Sequence, residues 1–139
     1  EIWLYYVGLD DPHTGRPEAQ NRYTLSRVTL RKDGFTCVAA GYGAGRFTTC
    51  PVRFAGNRLT LNIQTSALGL ARIGIQDERG KAIGGFALED CDRVFTANTT
   101  ARTVTWKGSP DVSALAGRPV RILFELSRHA KLYSFKFGG

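Results

Sequence analysis

The sequence predicts an all-β protein, an antiparallel β-sandwich of jelly-roll-like form with about nine or ten strands. Short runs alternate between apolar and polar residues, as Leu59, Leu61 and Ile63 do with the polar residues between them. Such alternation is typical of strands that bury one face. Clusters of Gly, Pro, Asn and Asp separate the runs, and no run keeps the spacing of a long amphipathic helix.

The strand-like runs follow one another at short spacing. They cover residues 2–7, 23–31, 35–40, 46–54, 59–64, 71–76, 103–107, 120–126 and 132–137. Their β-branched and aromatic content fits strands. The one helical feature is a predicted single turn at residues 111–117, which Ser109 or Asp111 would cap and Gly117 would end.

The loop between Gly8 and Asn21, rich in Pro, Gly and Asp, is the predicted domain boundary. It separates residues 1–20, an aromatic strand and loop interpreted as the remnant of a preceding domain, from a β-sandwich at residues 21–139. The chain starts without Met, directly before an aromatic strand, so we expect it to be part of a larger or processed protein. No run reaches the ~20 apolar residues of a membrane span, and no membrane partner is expected.

The net charge is +7, carried by fourteen Arg and only five Lys. Arg favours planar, bidentate contact with carboxylate, sulfate or phosphate groups, so an acidic partner is one interpretation. The alternative is a basic, solvated surface, because the arginines are scattered along the chain. Nucleic acid is not an expected partner, since no basic run is interleaved with aromatic residues.

The three cysteines predict one disulfide. Cys37 and Cys50 lie symmetrically about a glycine-rich turn centred between residues 43 and 44, and would face each other in an antiparallel hairpin. A Cys37–Cys50 bridge would indicate an exported, secreted or periplasmic protein. The alternative is two reduced cysteines packed as small apolar side chains. Cys91 is expected to be buried and free.

Three carboxylates, Glu89, Asp90 and Asp92, lie within four residues of a stretch rich in turn formers. Neighbours in sequence do not face each other across a sugar at the ~5 to 10 Å that glycosidases need, so we expect no catalytic residues. A second carboxylate for such a pair would have to come from Asp77, Asp111 or Glu125. The two histidines, His13 and His129, lack a nucleophile constellation.

A structural calcium ion is an alternative use of Glu89, Asp90 and Asp92, because calcium takes six to eight oxygen ligands. Asp111 would be a further ligand. No Asp-rich loop of known spacing supports this, so the favoured interpretation is that the acids cap turns or pair with Arg93 and Arg102. No other cofactor is expected.

Carbohydrate binding is the sharper hypothesis, because sugars need exposed aromatic rings and planar polar groups. Two surfaces qualify. The first is a polar strand face, if the strands are neighbours, made of Asn62, Gln64, Arg72, Gln76, Arg121 and Glu125. The second is a rim made of Tyr42, Glu89, Asp90, Trp106, Lys107 and Asp111.

The two aromatic residues of the rim differ in their expected burial. Trp106 shares a strand face with Val104, so the core is its favoured place. Tyr42, flanked by glycines, is the better candidate for a sugar platform.

Several motifs together resemble a known module. They are LRKDGF at 30–35, FTT at 47–49, GFALEDC at 85–91, TWKG at 105–108, DVSALAGRPVR at 111–121 and LYSF at 132–135. Their combination resembles the β-sandwich module at the C-terminal end of bacterial proteins related to propeller-fold glycoside hydrolases. The resemblance covers nearly all of residues 23–137, and the start of the chain resembles the last strand of such a propeller. Cys37 and Cys50 depart from it, since the module usually has a small polar and a basic residue there. That paired departure favours the disulfide.

The resemblance implies a non-catalytic accessory module of a secreted polysaccharide-degrading enzyme. Its expected partners are a polysaccharide, with an anionic (sulfated or uronic) glycan as one candidate, and the preceding catalytic propeller. The alternative that the sequence leaves open is a structural sandwich that buttresses the propeller without binding a ligand.

Overall fold

The computed structural model describes residues 1–9 and 23–139. These residues form two compact units, Glu1–Phe35 and Thr36–Gly139. Every paired strand is antiparallel, and the described residues contain no α-helix. The all-β class predicted from the alternating runs is confirmed.

The first unit is a hairpin of β1 (Ile2–Leu9) and β2 (Tyr23–Leu30). Its register runs from Ile2 opposite Leu30 to Leu9 opposite Tyr23. The predicted division into 1–20 and 21–139 therefore differs from the observed units, because β2 pairs with β1. Most of the predicted boundary loop, with His13, lies outside the described residues.

The second unit is a sandwich of two four-stranded sheets. Its strands are β3 (Val38–Ala39), β4 (Gly45–Thr48), β5 (Arg58–Gln64), β6 (Leu70–Asp77), β7 (Val94–Phe95), β8 (Asn98–Thr103), β9 (Val120–Ser127) and β10 (Lys131–Gly138). One sheet has the order β3-β10-β5-β8 and the other β4-β9-β6-β7. The first four strands of this unit thus pair with the last four in reverse order: β3 with β10, β4 with β9, β5 with β8 and β6 with β7. This winding is a jelly roll.

The core lies between the sheets and contains the residues that alternation places inward. Leu61, Ile63, Ile73 and Phe124 are fully buried. The ring of Phe124 stacks on Phe47 with the ring centroids 4.9 Å apart. The strands that carry clear alternation in the sequence therefore supply most of the core.

The predicted strand at residues 103–107 is wrong in position. The strand β8 is the polar run before it and ends at Thr103. Because β8 is an edge strand that pairs with β5 alone among the described strands, hydrogen bonding to its neighbour suffices without apolar alternation. The predicted single turn is present as a 3₁₀ turn at Ser113–Leu115, and Gly117 follows it with φ of +75°.

The predicted Cys37–Cys50 bridge is also wrong. The strands on either side of the glycine turn do not pair with each other, since β3 pairs with β10 and β4 with β9 in the other sheet. The turn therefore crosses between the sheets, and all three cysteines are free thiols. Cys91 is buried as expected, and burial raises the pKa of its thiol to about 11.

Candidate functional site

The segment at residues 82–91 closes the free edge of β6. The backbone N–H of Ile75 donates to the carbonyl of Phe86 (2.7 Å), and the N–H of Ile83 donates to the carbonyl of Ile75 (3.0 Å). At Ile73 two side chains replace a neighbouring strand. The Cys91 Sγ accepts from its N–H (3.2 Å), and the Trp106 Nε1–H donates to its carbonyl (3.0 Å).

Trp106 is therefore a core residue and not a sugar platform. Only 3% of it is exposed, and the ring of Phe86 packs against it edge-on at 5.5 Å. An indole that has its N–H satisfied inside the protein and both faces covered has no surface left for a ligand. The placement of Trp106 in the predicted binding rim is corrected accordingly.

The acidic residues of this segment stabilise turns. Asp90 forms an ion pair with Lys107 (Oδ1 to Nζ, 2.6 Å), and its carbonyl accepts from the backbone N–H of Lys107 (3.0 Å). The hydrogen bond from Lys107 is the main reason that the pKa of Asp90 is lowered. Asp92 Oδ2 accepts from the Thr105 hydroxyl (2.5 Å) and from the N–H of Gly108 (2.8 Å), which lowers the pKa of Asp92.

These contacts explain a tight turn at residues 106–109. Lys107 and Gly108 both have left-handed φ values, +51° and +82°. Two carboxylates hold that strained backbone in place. The interpretation of the acids as turn caps thus fits the contacts, although the partners are Lys107 and backbone groups instead of Arg93 and Arg102.

The calcium candidates do not converge. Glu89 is exposed beside the engaged Asp90 and Asp92, and the Asp111 carboxylate accepts from the N–H of Ser113 (2.8 Å), which lowers the pKa of Asp111. Within residues 1–9 and 23–139 no three His, Cys, Asp or Glu side chains form a group that would hold a metal ion.

The predicted rim is split between the two ends of the sandwich. Tyr42 lies in the β3–β4 connection, at the same end as the β5–β6 and β9–β10 connections, where the hydroxyl of Ser66 donates to the carbonyl of Arg128 (3.4 Å). The loops that carry Asp90, Lys107 and Asp111 leave β6 and β8 at the opposite end. Tyr42 and these residues therefore belong to separate surfaces.

Part of the predicted polar strand face is present in the structure. Arg72 lies opposite Glu125 and Gln76 opposite Arg121 on the neighbouring strands β6 and β9, and Arg46 of β4 lies opposite Glu125 from the other side. We call this surface the arginine face; it consists of Arg46, Arg72, Gln76, Arg121 and Glu125. Asn62 and Gln64 lie on β5 of the other sheet, and Asn62 is only 3% exposed, so it is corrected as a ligand-binding residue.

Much of the hydrogen-bonding capacity of the arginine face is used within the protein. Arg46 forms a short ion pair with Glu125 (2.6 Å). Arg121 donates from Nε to the carbonyl of Glu78 (3.0 Å) and from a terminal nitrogen to the carbonyl of Thr49 (3.2 Å). These arginines stabilise the sheet edges, and an external anion would compete with internal partners.

A second surface, which we call the Tyr42 tip, consists of Tyr42, Arg128 and His129. Tyr42 is 73% exposed, and Arg128 and His129 are exposed beside it. The backbone N–H of Arg128 donates to the carbonyl of Tyr42 (3.2 Å), and that of His129 donates to the carbonyl of Gly41 (3.0 Å). The Tyr42 and His129 rings lie edge to face at 6.5 Å. Two hydrogen bonds and a ring contact thus hold an aromatic ring and two basic side chains together.

The β9–β10 turn has an unusual sequence for its geometry. Arg128 and His129 have φ values of +53° and +64°, and the N–H of Ala130 donates back to the carbonyl of Ser127 (3.2 Å). Two successive left-handed residues define a mirror-image β-turn between the two sheets, and such turns favour Gly, Asn and Asp at both positions. A side chain in this conformation costs about 1 kcal/mol per residue. Strain that is kept in an exposed turn indicates a use for the side chains that cause it.

Sequence reasoning missed Arg128 and His129. A signal was available, because the short gap between the alternating runs at residues 120–126 and 132–137 indicates a tight turn. Arg128 and His129 contact Tyr42 because of the path of the β3–β4 connection, and no local sequence pattern predicts that path.

The fold and the Tyr42 tip define a jelly-roll β-sandwich with one exposed aromatic and basic loop end. Comparison with protein-family models, with curated proteins and with solved structures gave no match for this chain. Among the described residues no helix is long and apolar enough to cross a membrane.

Proposed function

We propose that this chain is a non-catalytic carbohydrate-binding module of a polysaccharide-degrading enzyme and that it binds its glycan at the Tyr42 tip. The observation that carries the proposal is the Tyr42 ring, which is 73% exposed and oriented by His129. An aromatic ring that is held in place and open to solvent suits the apolar face of a sugar. The sequence also favours Tyr42 as the sugar platform, because glycines flank it.

The basic neighbours of Tyr42 support an anionic glycan as the ligand. Arg128 presents a planar guanidinium that matches a carboxylate or sulfate group in bidentate geometry, and His129 supplies a second ring whose nitrogens form hydrogen bonds. The net charge of +7 also attracts a polyanion before contact is made. A sulfated or uronic polysaccharide would use the ring and the cation together, whereas a neutral one would use the ring alone.

The engaged carboxylates support a module without catalysis. Asp90, Asp92 and Asp111 all accept hydrogen bonds that stabilise local turns. Each of them has a lowered pKa, whereas a general acid needs a raised one. Secretion is proposed from the resemblance alone, since the free cysteines give it no support.

The test is affinity electrophoresis of the chain against neutral, uronic and sulfated polysaccharides, at low and high salt. Retardation is expected, and Tyr42→Ala should weaken it about tenfold, equivalent to about 1.4 kcal/mol. The matched control is Tyr23→Ala, which removes an equally exposed tyrosine of the hairpin unit and should leave retardation unchanged. Equal losses in the two variants would place binding elsewhere, and no retardation of the wild type by any glycan would refute the proposal.

A structural role beside a catalytic propeller is the second candidate, and the hairpin unit favours it. The β1–β2 pair exposes Trp3, Tyr5 and Val7 on one face and Leu4 and Tyr6 on the other. A two-stranded hairpin is marginally stable alone in water, and apolar side chains on both faces favour a further layer of protein. Hydrogen exchange of the β1 amides tests this, with fast exchange in the isolated chain and protection in the longer protein as the expected results.

A further inference from the structure

The sandwich is open along one side, where the edge strands of its two sheets lie. The strand β3 ends one sheet and β4 ends the other, and each pairs with one neighbour only among the described strands. Beyond β4 the pairing with β9 is irregular, because Thr48 lies opposite Leu123 and Val52 opposite Val120, so that three residues face two. Thr49 donates to the carbonyl of Ile122 (3.0 Å), and Val52 exchanges two hydrogen bonds with Val120 (2.8 and 2.9 Å).

The regular edge along β9 is therefore β4 itself, residues 45–48, which is about 10 Å long at about 3.3 Å per residue. In an antiparallel pair, alternate residues direct their N–H and C=O groups away from the partner strand. Those groups are a template for one more strand.

An apolar groove lies between the two edges. Its larger cavity measures about 370 Å³, and its lining includes Cys37, Val38, Phe47, Leu132 and Phe135. A second cavity of about 140 Å³ shares Val38 and Phe47 with the first, so the two cavities adjoin. In an added strand, the side chains at positions i and i+2 lie about 6.6 Å apart on the same face, which suits two neighbouring cavities.

The charged side chains beside this groove are mainly basic. Arg46 lies on the edge strand itself with 64% of its side chain exposed, and it neutralises Glu125 by its ion pair. Lys131 is exposed on β10 opposite Ala39 of β3. An occupant with acidic residues would complement these charges, whereas a basic one would be repelled.

We propose that this groove binds an extended, acidic peptide segment of a partner protein by strand addition to β4, residues 45–48. Apolar side chains at alternate positions of the peptide fill the two cavities, and its acidic residues lie near Lys131 and compete with Glu125 for Arg46. Unpaired backbone groups and side-chain cavities along one line are the two elements of strand-addition recognition. The proposal is independent of glycan binding at the Tyr42 tip.

Cys37 supplies a built-in probe because it lines the larger cavity. The experiment uses the full chain with Cys50→Ser, so that Cys37 is the reactive thiol while Cys91 is buried. The probe is a synthetic peptide of alternating valine and threonine with two glutamates at each end. We expect saturating peptide to slow alkylation of Cys37 at least fivefold. The same peptide with proline at its central positions, or with lysine in place of glutamate, should give less than twofold slowing.

Val38→Glu places a carboxylate in both cavities and should abolish the protection. Leu68→Glu, at an exposed loop position, is the matched control and should preserve it. Unchanged alkylation of Cys37 with the acidic peptide would overturn the proposal, and so would equal protection by the proline peptide. Sedimentation analysis tests whether a second copy of the chain occupies the groove instead. A dimer that Val38→Glu converts to a monomer would show that it does, and this result would also overturn the proposal.

Discussion

Replacing Arg128-His129 by Asn-Gly should make the protein more stable and a weaker glycan binder. Both residues have left-handed φ values in the β-turn that joins β9 to β10, and a side chain there costs about 1 kcal/mol each. Asn and Gly are preferred residues at the two central positions of such a turn, so most of about 2 kcal/mol is recovered. Glycine loses more entropy on folding, which takes back about 0.5 to 1 kcal/mol. The net expectation is a gain of about 1 kcal/mol.

That gain corresponds to a rise in Tm of about 4 °C for a domain of this size. Thermal and urea unfolding measure it, and affinity electrophoresis of the same variant measures retardation by the sulfated or uronic glycan. We expect retardation to fall about tenfold, because the guanidinium and imidazole beside Tyr42 are lost. The single changes Arg128→Asn and His129→Gly divide both effects between the two side chains.

Thr96→Gly is the matched control. Thr96 also has a left-handed φ, +47°, in a turn at the same end of the sandwich, so relieving its strain should stabilise the protein while leaving glycan retardation unchanged. A less stable Asn-Gly variant would refute the strain estimate. A more stable variant with undiminished binding would refute the link between strain and function, and the turn would then be a plain structural compromise.

Further predictions concern the opposite end and the thiols. Trp106→Phe should cost about 1 to 3 kcal/mol in urea unfolding because the buried carbonyl of Ile73 loses its donor, and a near-neutral result would contradict the assigned hydrogen bond. Because the pKa of Asp92 is lowered in the folded protein, its contribution to stability is fully present above the ordinary pKa of about 3.9 and is lost as the pH falls through the lowered value. In Asp92→Asn this loss of stability at acid pH should be smaller. Identical acid-unfolding profiles of the variant and the wild type would contradict the prediction. Without reductant, mass analysis after denaturing alkylation should find three modified thiols, whereas brief alkylation of the native chain should modify Cys50 first and spare Cys91. A mass that lacks two alkyl groups would show that the protein contains a disulfide.

The sequence identified strands best where one face of the strand is buried in the core. Residues such as Ile63, Ile73 and Phe124 alternate with polar neighbours because the two sheets cover one face of each strand and water the other. The polar edge strand β8 was missed for the corresponding reason, since an edge strand is stabilised by backbone pairing and needs little apolar surface.

The hairpin prediction at Cys37 and Cys50 shows a different limit. Symmetry about a glycine turn predicts facing residues only if the two flanking segments pair with each other. In a jelly roll, consecutive strands cross between sheets, and the residues that pair with β3 and β4 lie about 75 to 95 positions later in the chain. No local pattern contains that information, and the same long-range pairing brings Arg128 and His129 to Tyr42.

The polar groups at the two ends of the sandwich have different roles, and this difference supports the Tyr42 tip as the proposed binding surface. At the end that carries the acidic loop, Asp90, Asp92 and Asp111 accept hydrogen bonds from nearby backbone groups, which stabilises turns and leaves few groups for a ligand. At the other end the turn keeps two strained basic residues beside an open aromatic ring. Strained, exposed residues on a rigid scaffold are characteristic of binding loops. The long stretch around Trp106, chemically the most unusual in the sequence, is therefore explained by the need to close the edge of β6, and the ligand is expected at the opposite end.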